Sequence, residues 1–357
     1  MVRALPFAWR VTVVWVTVDS LNVVPEVSLA LPEILRRPLS VPVLSSPMFL
    51  ASGPELVKAQ CQAGVIGSFP ALNARPTSLV DEWLHEIAES NEQYASANPD
   101  AIVAPIAVNQ IVHRSNDRLE EDMATIVKHK VPIVITSLGA REEINEAVHS
   151  YGGIVLHDVI HDRFARKAIE KGADGLIAVA AGAGGHAGSQ SPFALLQEIR
   201  QWFDGPLILS GAIAHGRSIL AALAAGADLA YVGSAFLSTP EANISAEYRQ
   251  MILDSTASEI VYSNYFTGVH GNYLRGSITA AGFDPDNLPE SDPSAMSFGS
   301  ENGNDTKAWR DIWGAGQGVG AIKEQQTTRE LVEQLAQQYQ EAIEQLRART
   351  STLTGVR

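Results

Sequence analysis

Short apolar runs alternate with longer amphipathic segments between residues 41 and 232. The apolar runs hold about four to eight residues and are rich in valine and isoleucine, a pattern typical of strands buried on both faces of a parallel sheet. Eight strands are predicted in this way: Val41–Met48, Val65–Phe69, Ile102–Val108, Val131–Ser137, Gly153–His157, Gly175–Ala180, Pro206–Ser210 and Leu229–Val232.

Segments with apolar residues at helical spacing follow the first seven predicted strands. The helices predicted from them are Glu55–Ala63, Ser78–Ala95, Asp117–His129, Glu142–His149, Arg163–Lys171, Phe193–Trp202 and Arg217–Ala225. Glycine stands just past three of these segments, at Gly64, Gly172 and Gly226. A glycine there indicates a helix end, because the residue after a helix commonly adopts a left-handed conformation.

The alternation of strand and helix predicts an α/β fold with parallel pairing and right-handed crossovers. Eight such units can close into a (β/α)₈ TIM barrel, which is the predicted fold. A doubly wound open sheet is the alternative. The absence of a Gly-x-Gly-x-x-Gly motif after the first strand weighs against the open sheet.

Two regions flank the predicted barrel of residues 41–240. Residues 1–40 are expected to form an N-terminal extension, whose apolar run Phe7–Val18 is too short and too interrupted to span a membrane. Residues 241–357 are expected to pack on the barrel as helices and loops. Within them, Tyr248–Val261 and Thr328–Ala348 are predicted to be helical, and Asp284–Asp305 is predicted to be a loop because it is rich in Pro, Ser, Gly and Asn.

Glycine and serine close the last two predicted strands. Strand seven ends in Ser210-Gly211-Ala212, and strand eight is followed by Gly233-Ser234. In barrels of this kind, the loops after strands seven and eight often hold a phosphate group. Glycine lets the backbone N–H approach an oxyanion closely, and a serine hydroxyl adds a donor. These residues therefore predict a site for a phosphate-bearing ligand.

A glycine-rich loop with one histidine follows the sixth strand, with the sequence Ala180-Ala-Gly-Ala-Gly-Gly-His186-Ala-Gly188. Ordering such a flexible segment costs conformational entropy. A glycine-rich segment is therefore expected where the backbone must pass close to a flat ligand. His186 is the candidate catalytic residue, because imidazole transfers protons near neutral pH. His157 and His161 are weaker candidates. We find no cluster of His, Cys, Asp or Glu with metal-ligand spacing, so no metal site is predicted.

The charge balance and the cysteine content indicate which partners and which cell compartment to expect. Acidic residues outnumber basic ones by 40 to 26, giving a formal net charge of −14, which disfavours nucleic acid as a partner. Cys61 is the only cysteine, so no intrachain disulfide can form, and a cytoplasmic protein is expected.

These motifs resemble those of the nitronate monooxygenases, formerly called 2-nitropropane dioxygenases, and of related flavin-dependent barrel reductases. The resemblance runs from about residue 41 to residue 236 and is strongest at the segment 183–188, the turn 210–213, and Gly226-Ala-Asp228 leading to Gly233-Ser234. Ser46-Pro47-Met48 and Val108-Asn109 also fit the family pattern.

The resemblance implies FMN as cofactor, a nitronate or nitroalkane and O₂ as substrates, and His186 as the catalytic base or nitronate-stabilising group. The cofactor-binding residues implied are Pro47, Met48, Asn109, Asp158, Gly185, Ser210, Gly211, Gly233 and Ser234. Of these, Pro47, Met48 and Asn109 would lie near the isoalloxazine ring, and Gly211, Gly233 and Ser234 would hold the phosphate.

The chain also departs from the family pattern. Asp158 stands where many relatives carry a lysine that contacts the flavin, which inverts the charge there. The long C-terminal part, including Thr267-Gly268 and Asn272-Tyr273-Leu274-Arg275, looks like a subgroup feature that covers the active site. Arg275 is expected either to contact the substrate or to form a salt bridge. An FMN-dependent NAD(P)H:quinone or enoyl-thioester reductase is the alternative function, and a barrel without flavin is a third. Whether the protein forms a homodimer is left open.

Overall fold

The computed structural model describes residues 31–291 and 311–354. The apolar run Phe7–Val18 and most of the predicted loop Asp284–Asp305 lie outside these residues.

Eight parallel strands form the barrel predicted from the sequence, and that prediction is confirmed. Parallel backbone contacts between Leu44 and Ile66 join the first strand to the second and close the ring. The strands are β1 (Val43–Ser45), β2 (Gly67–Pro70), β3 (Ile106–Ile111), β4 (Ile133–Ser137), β5 (Ile154–Val159), β6 (Gly175–Val179), β8 (Leu207–Ser210) and β9 (Leu229–Val232), while β7 (Gly185–His186) lies outside the barrel.

Helices follow the barrel strands at every position where the sequence predicts one. They are α1 (Pro54–Gln62), α2 (Leu79–Ala97), α3 (Leu119–Lys128), α4 (Glu142–His149), α5 (Asp162–Glu170), α6 (Pro192–Arg200) and α7 (Gly216–Ala224). The third strand is displaced from the predicted Ile102–Val108 to Ile106–Ile111. Gly64, Gly172 and Gly226 follow their helices with φ of 86°, 89° and 107°, as a left-handed cap requires.

Alternate side chains of each strand divide between two cores. Ile135, Leu156 and Ile177 belong to the cluster inside the barrel, whose lower end is filled by Leu35 from the 3₁₀ helix Glu33–Arg36. Val134 packs outward against the helices. This period of two decides which side chains reach the ligand face, because residues two positions beyond an interior residue point into the barrel again.

Most strands carry a polar side chain at the uppermost interior position, whereas β6 carries the aliphatic Val179 there. The polar side chains lie near the carboxyl ends of their strands and are Asn109, Ser137, Asp158, Ser210 and Tyr231. A polar layer therefore covers the hydrophobic interior at the end of the barrel where such folds bind ligands.

The predicted helix Tyr248–Val261 is wrong in its second half. After α8 (Ser234–Leu237), helix α9 covers only Ala246–Asp254. A 3₁₀ turn, Ala257–Glu259, and strand β10 (Ile260–Ser263) follow it. Strand β10 pairs with β11 (Gly271–Leu274), and β11 pairs with β7, forming an antiparallel sheet of three strands. Pairing with β11 overrides the local helical pattern, since strand propensity depends on cross-strand partners.

Two further α-helices and a 3₁₀ helix, Gln317–Ala321, lie in the described region after β11. Helix α10 (Arg275–Ala280) follows β11, and α11 (Thr328–Thr354) packs along the barrel wall. The backbone N–H of Gly216 donates to the side chain of Gln338 at 2.9 Å, and a Cβ at Gly216 would lie 2.2 Å from the backbone of Tyr339. Glycine thus lets α11 approach α7 closely. No helix within residues 31–291 and 311–354 is long and apolar enough to cross a membrane.

Candidate active site

A cavity of about 1340 Å³ opens at the carboxyl ends of the barrel strands. The polar layer described above lines it, together with the loops that follow the strands. The region after the barrel supplies the opposite wall through residues that include Thr267, Val269, Trp313 and Gly314. The cavity is therefore built jointly by the barrel and by the segment that follows it in sequence.

A small pocket of about 60 Å³ adjoins this cavity and shares residues with it. Three backbone segments meet there, following β6, β8 and β9, and a fourth comes from the C-terminal region. The glycines that line the pocket are Gly182, Gly184, Gly211, Gly233, Gly314, Gly316 and Gly318. A concave site made of glycine backbone suits an anion, because its N–H groups can point inward without side chains in the way.

The glycine segments are packed too closely to admit larger residues. A Cβ at Gly184 would lie 2.7 Å from the backbone nitrogen of Gly316. A Cβ at Gly316 would lie 2.6 Å from the carbonyl oxygen of Gly182. The hydroxyl oxygen of Ser234 accepts a hydrogen bond from the N–H of Gly316 at 2.8 Å. The Ser234 hydroxyl proton is then available to donate to a ligand.

His186 lies on the cavity wall opposite the barrel strands. Strand β7 carries it, and β7 pairs with β11 so that His186 stands opposite Gly271. The side chain of Asn272 donates to the carbonyl oxygen of Ala183 at 2.6 Å and fixes the glycine-rich loop further. The Nε2 atom of His186 lies 3.3 Å from the hydroxyl oxygen of Thr267. Burial lowers the pKa of His186 to about 4, so its imidazole is neutral at neutral pH.

A chain of hydrogen bonds crosses the floor of the cavity. The amide nitrogen of Asn109 donates to the hydroxyl of Ser137 at 2.8 Å, and that hydroxyl donates to Oδ2 of Asp158 at 2.5 Å. Burial raises the pKa of Asp158 to about 7, while the Ser137 hydrogen bond opposes the rise. Among the described residues, Asp158 is the only carboxylate that lines the cavity.

Two further titratable groups stand beside this chain. Tyr231 is buried on β9, and both burial and the charge of Asp158 hold the pKa of its phenol well above the usual range. His157 is buried on β5, and its Nδ1 atom lies 2.6 Å from the hydroxyl of Thr136. Burial lowers the pKa of His157 to about 4. Both side chains are therefore neutral at neutral pH.

The structure brings the residues singled out in the sequence around this one site. Those lining the large cavity are Pro47, Met48, Asn109, His157, Asp158, His161, Gly185, His186 and Ser210. Those lining the small pocket include Met48, Ser210, Gly211, Gly233 and Ser234. Arg275 is not among the lining residues. It makes two hydrogen bonds of 2.9 Å to the carboxylate of Asp286, so the salt-bridge alternative holds.

The sequence interpretation missed the contribution of residues 313–318. Tyr248 stacks on Trp313 with ring centroids 5.0 Å apart and donates a hydrogen bond to the carbonyl of Gly314 at 2.5 Å. These contacts hold the glycines of this segment against the small pocket. Glycine stands at every second position in Gly314-Ala-Gly316-Gln-Gly318. This pattern could have indicated a backbone segment that lies close to a ligand, because glycine is unfavourable inside helices and strands. Thr267 and Tyr231 gave no comparable signal.

No cluster of three or more His, Cys, Asp or Glu side chains suited to a metal ion occurs within the described ranges.

Comparison with known proteins reveals relatives along most of the chain. The sequence profile of a family described as nitronate monooxygenase matches residues 36–338. The nitronate monooxygenase of Paraburkholderia phytofirmans is 28% identical over 353 residues, which cover 86% of this chain and 94% of the relative.

Two solved structures show the same fold. A nitroalkane oxidase from Streptomyces ansochromogenes superposes with a TM-score of 0.71 and 23% identity, covering 86% of this chain and 97% of its own. FabK from Thermotoga maritima superposes with a TM-score of 0.69 and 23% identity, and the match covers 88% of this chain and 97% of FabK.

Proposed function

The chain belongs to the nitronate monooxygenase family and is an oxidoreductase, and from that premise we propose that it uses FMN and O₂ to oxidise alkyl nitronates or nitroalkanes. The products would be a carbonyl compound and nitrite. One observation carries the proposal: His186 and the glycine-lined pocket open onto the same cavity.

The small pocket fits the phosphate of FMN. Its volume of about 60 Å³ suits one such group, and the closest glycine contacts leave no space for side chains. Gly211, Gly233 and Ser234 would hold the phosphate through backbone N–H groups and the Ser234 hydroxyl. No lysine or arginine of the described part of the chain lines the pocket, so backbone dipoles would supply the positive potential.

The large cavity fits the remainder of the cofactor. Pro47, Met48 and Gly185 offer apolar and backbone surface suited to a flat ring. Both amide protons of Asn109 are used by Ile135 and Ser137, which leaves its carbonyl oxygen as an acceptor for the ligand. Asp158 and Ser210 complete the floor. When bound, FMN would supply the electron acceptor that the side chains themselves lack.

His186 would act on the substrate as a general base. Thr267 donates its proton to the carbonyl of Val269 at 3.0 Å, so its oxygen accepts from Nε2–H of His186. With Nε2 donating in this way, Nδ1 would be the basic nitrogen of the neutral imidazole. A nitroalkane that binds in the cavity would lose its α-proton to Nδ1, while a nitronate, already deprotonated, would need only to be oriented.

The size of the cavity favours a second candidate for the reaction partner. A volume of about 1340 Å³ exceeds the range of roughly 300–1000 Å³ that is usual for one small ligand. An FMN-dependent reductase that binds NAD(P)H and a quinone or enoyl thioester would use this space. This function shares the fold and the cofactor with the first, and differs from it in the electron donor.

Purified protein tests the proposal directly. We expect the protein to be yellow from bound flavin. Addition of propionate 3-nitronate or 2-nitropropane under anaerobic conditions should bleach the absorbance at about 450 nm, because the substrate reduces the flavin. NADH should leave the spectrum unchanged. Bleaching by NADH alone would select the reductase, and a colourless protein that binds no FMN would exclude both.

A further inference from the structure

We infer that Asp158 occupies the flavin site as a neutral carboxylic acid, and that its ionisation weakens cofactor binding. The inference rests on the proposed function, because it concerns the cofactor assigned there. It goes beyond that function by stating which protonation state of Asp158 binds FMN.

The hydrogen bonds around Asp158 satisfy only one of its oxygens. Asn109 donates both of its amide protons, to Ile135 and to Ser137, so the Ser137 hydroxyl proton must point to Oδ2 of Asp158. The other oxygen, Oδ1, is sealed from solvent and has no hydrogen-bond partner among the described residues. Burying a carboxylate costs free energy when one of its oxygens is shielded from water and from hydrogen-bond donors. The protonated acid avoids this cost because it carries no charge.

In the part of the chain that the structure describes, the elements packed around Asp158 bring no positive charge to it. On the neighbouring strands, β4 contributes Ser137 and β6 contributes Ile177, directly opposite Asp158. Across the barrel, β8 contributes Ser210 and β9 contributes Tyr231, a neutral phenol. The groups that could become charged elsewhere on the cavity wall are Arg75, His113, His157, His161, Lys167, His186, Tyr248, Tyr262 and His270.

None of these groups forms an ion pair with Asp158 within residues 31–291 and 311–354. His157 on the same strand is bonded to Thr136 and is neutral, as is His186. Burial raises the pKa of Asp158 to about 7, and Ser137 alone lowers it. The bound cofactor would exclude more water and add the negative charge of its phosphate, and both effects favour the neutral acid further.

Asparagine is an isosteric mimic of the neutral acid. Asp158→Asn keeps the shape, keeps an oxygen that can accept from Ser137, and cannot ionise. We expect this variant to bind FMN equally well from about pH 6 to about pH 8.5 once the titration of the ligand is subtracted. The wild-type protein should match it at about pH 6 and bind progressively more weakly above about pH 7, by at most about tenfold for each pH unit.

The experiment measures the dissociation constant of FMN by flavin fluorescence as the holoprotein is diluted at each pH. The phosphate of FMN itself ionises near pH 6, so the ratio of the wild-type constant to the Asp158→Asn constant is the quantity to plot. Glu170→Gln, which changes an exposed acid on α5 outside the cavity, is the matched control and should follow the wild-type curve.

A second variant keeps the test decisive if Asp158→Asn fails to fold. Ser137→Ala removes the one hydrogen bond that favours the carboxylate. The pH at which FMN binding weakens should therefore move upward in this variant. An unchanged midpoint would contradict the inference.

The outcomes separate this inference from the proposed function. If wild-type and Asp158→Asn proteins bind FMN with the same pH dependence, Asp158 does not control binding, while the flavoprotein assignment stands. If Asp158→Asn binds more weakly than wild type at high pH, the carboxylate is the binding form and the inference is wrong. If neither protein binds FMN at any pH, both the proposed function and the inference fall.

Discussion

The Nε2 atom of His186 lies 3.3 Å from the hydroxyl oxygen of Thr267, although 81 residues separate them in the chain. His186 belongs to the barrel loop after β6, and Thr267 to the turn between β10 and β11. The three-stranded sheet that joins these segments therefore does more than cover the cavity. It sets the orientation of the imidazole that we propose as the base, in the way that a second group orients a catalytic histidine in many enzymes.

The first prediction concerns His186 itself. His186→Ala should retain FMN, because the His186 side chain does not line the pocket assigned to the phosphate, and should lose turnover of 2-nitropropane by about 10²- to 10⁴-fold. Steady-state nitrite release and flavin absorbance measure the two properties. His113→Ala, at the rim of the same cavity, is the control and should keep wild-type turnover. An undiminished rate in His186→Ala would remove His186 from the mechanism.

The second prediction concerns the orientation of the imidazole. Thr267→Val keeps the shape of the side chain and removes the oxygen that accepts from Nε2–H. Loss of one hydrogen bond worth about 1 kcal/mol should lower kcat for 2-nitropropane by about three- to tenfold, with little change in the affinity for FMN. Thr267→Ser should restore most of the rate. Equal rates in the valine and wild-type proteins would show that Thr267 does not position His186.

The third prediction concerns the glycine segment of residues 314–318. A Cβ at Gly316 would lie 2.6 Å from the carbonyl oxygen of Gly182 and 2.9 Å from the backbone nitrogen of Gly184. Gly316→Ala should therefore push this segment off the pocket and weaken FMN binding by about 1–3 kcal/mol. Equilibrium titration followed by fluorescence measures the effect.

Gly320→Ala is the matched control for Gly316→Ala. A Cβ at Gly320 would meet nothing closer than 3.9 Å, so this variant should bind FMN normally. Riboflavin, which lacks the phosphate, should bind the wild-type and Gly316→Ala proteins with similar affinity. An equal loss of affinity for both ligands would show that the pocket is not a phosphate site.

The fourth prediction concerns stability in acid. His157 has a pKa of about 4 in the folded protein, against 6.5 for an ordinary histidine. The unfolded chain therefore binds the additional proton between these values, and the contribution of His157 to the free energy of unfolding should fall by about 3 kcal/mol as pH drops from above 6.5 to about 4. The contribution is fully present above pH 6.5. Asp158 has the opposite sign, since its raised pKa costs stability as pH increases from about 4 to 7.

Replacing His157 isolates its share of the pH dependence. His157→Asn keeps a partner for Thr136 and does not titrate, so its free energy of unfolding, measured by urea denaturation, should fall less between pH 6.5 and pH 4 than that of wild type. His85→Asn changes an exposed histidine and should reproduce the wild-type dependence. Parallel curves for His157→Asn and wild type would contradict the assignment.

Local pattern determined the barrel and the position of its ligand face. Buried parallel strands leave continuous apolar runs, and amphipathic helices leave a period of 3.6, so residues 41–232 could be divided before any contact was known. The carboxyl ends of parallel strands meet at one face by geometry alone. For that reason Ser210, Gly211, Gly233 and Ser234 could be expected at one site from their places at two strand ends.

Tertiary structure alone decided how the site is closed and which charges it holds. Strand β7 is two residues long, and β10 carries a helical pattern, so neither has a local signal strong enough to predict it. Their pairing with β11 gives them their conformation and brings Thr267 to His186. The pKa values of Asp158, His157 and His186 depend on exclusion of water by the assembled barrel and its covering sheet. Solvent exclusion is a property of the packed molecule, and no short stretch of sequence encodes it.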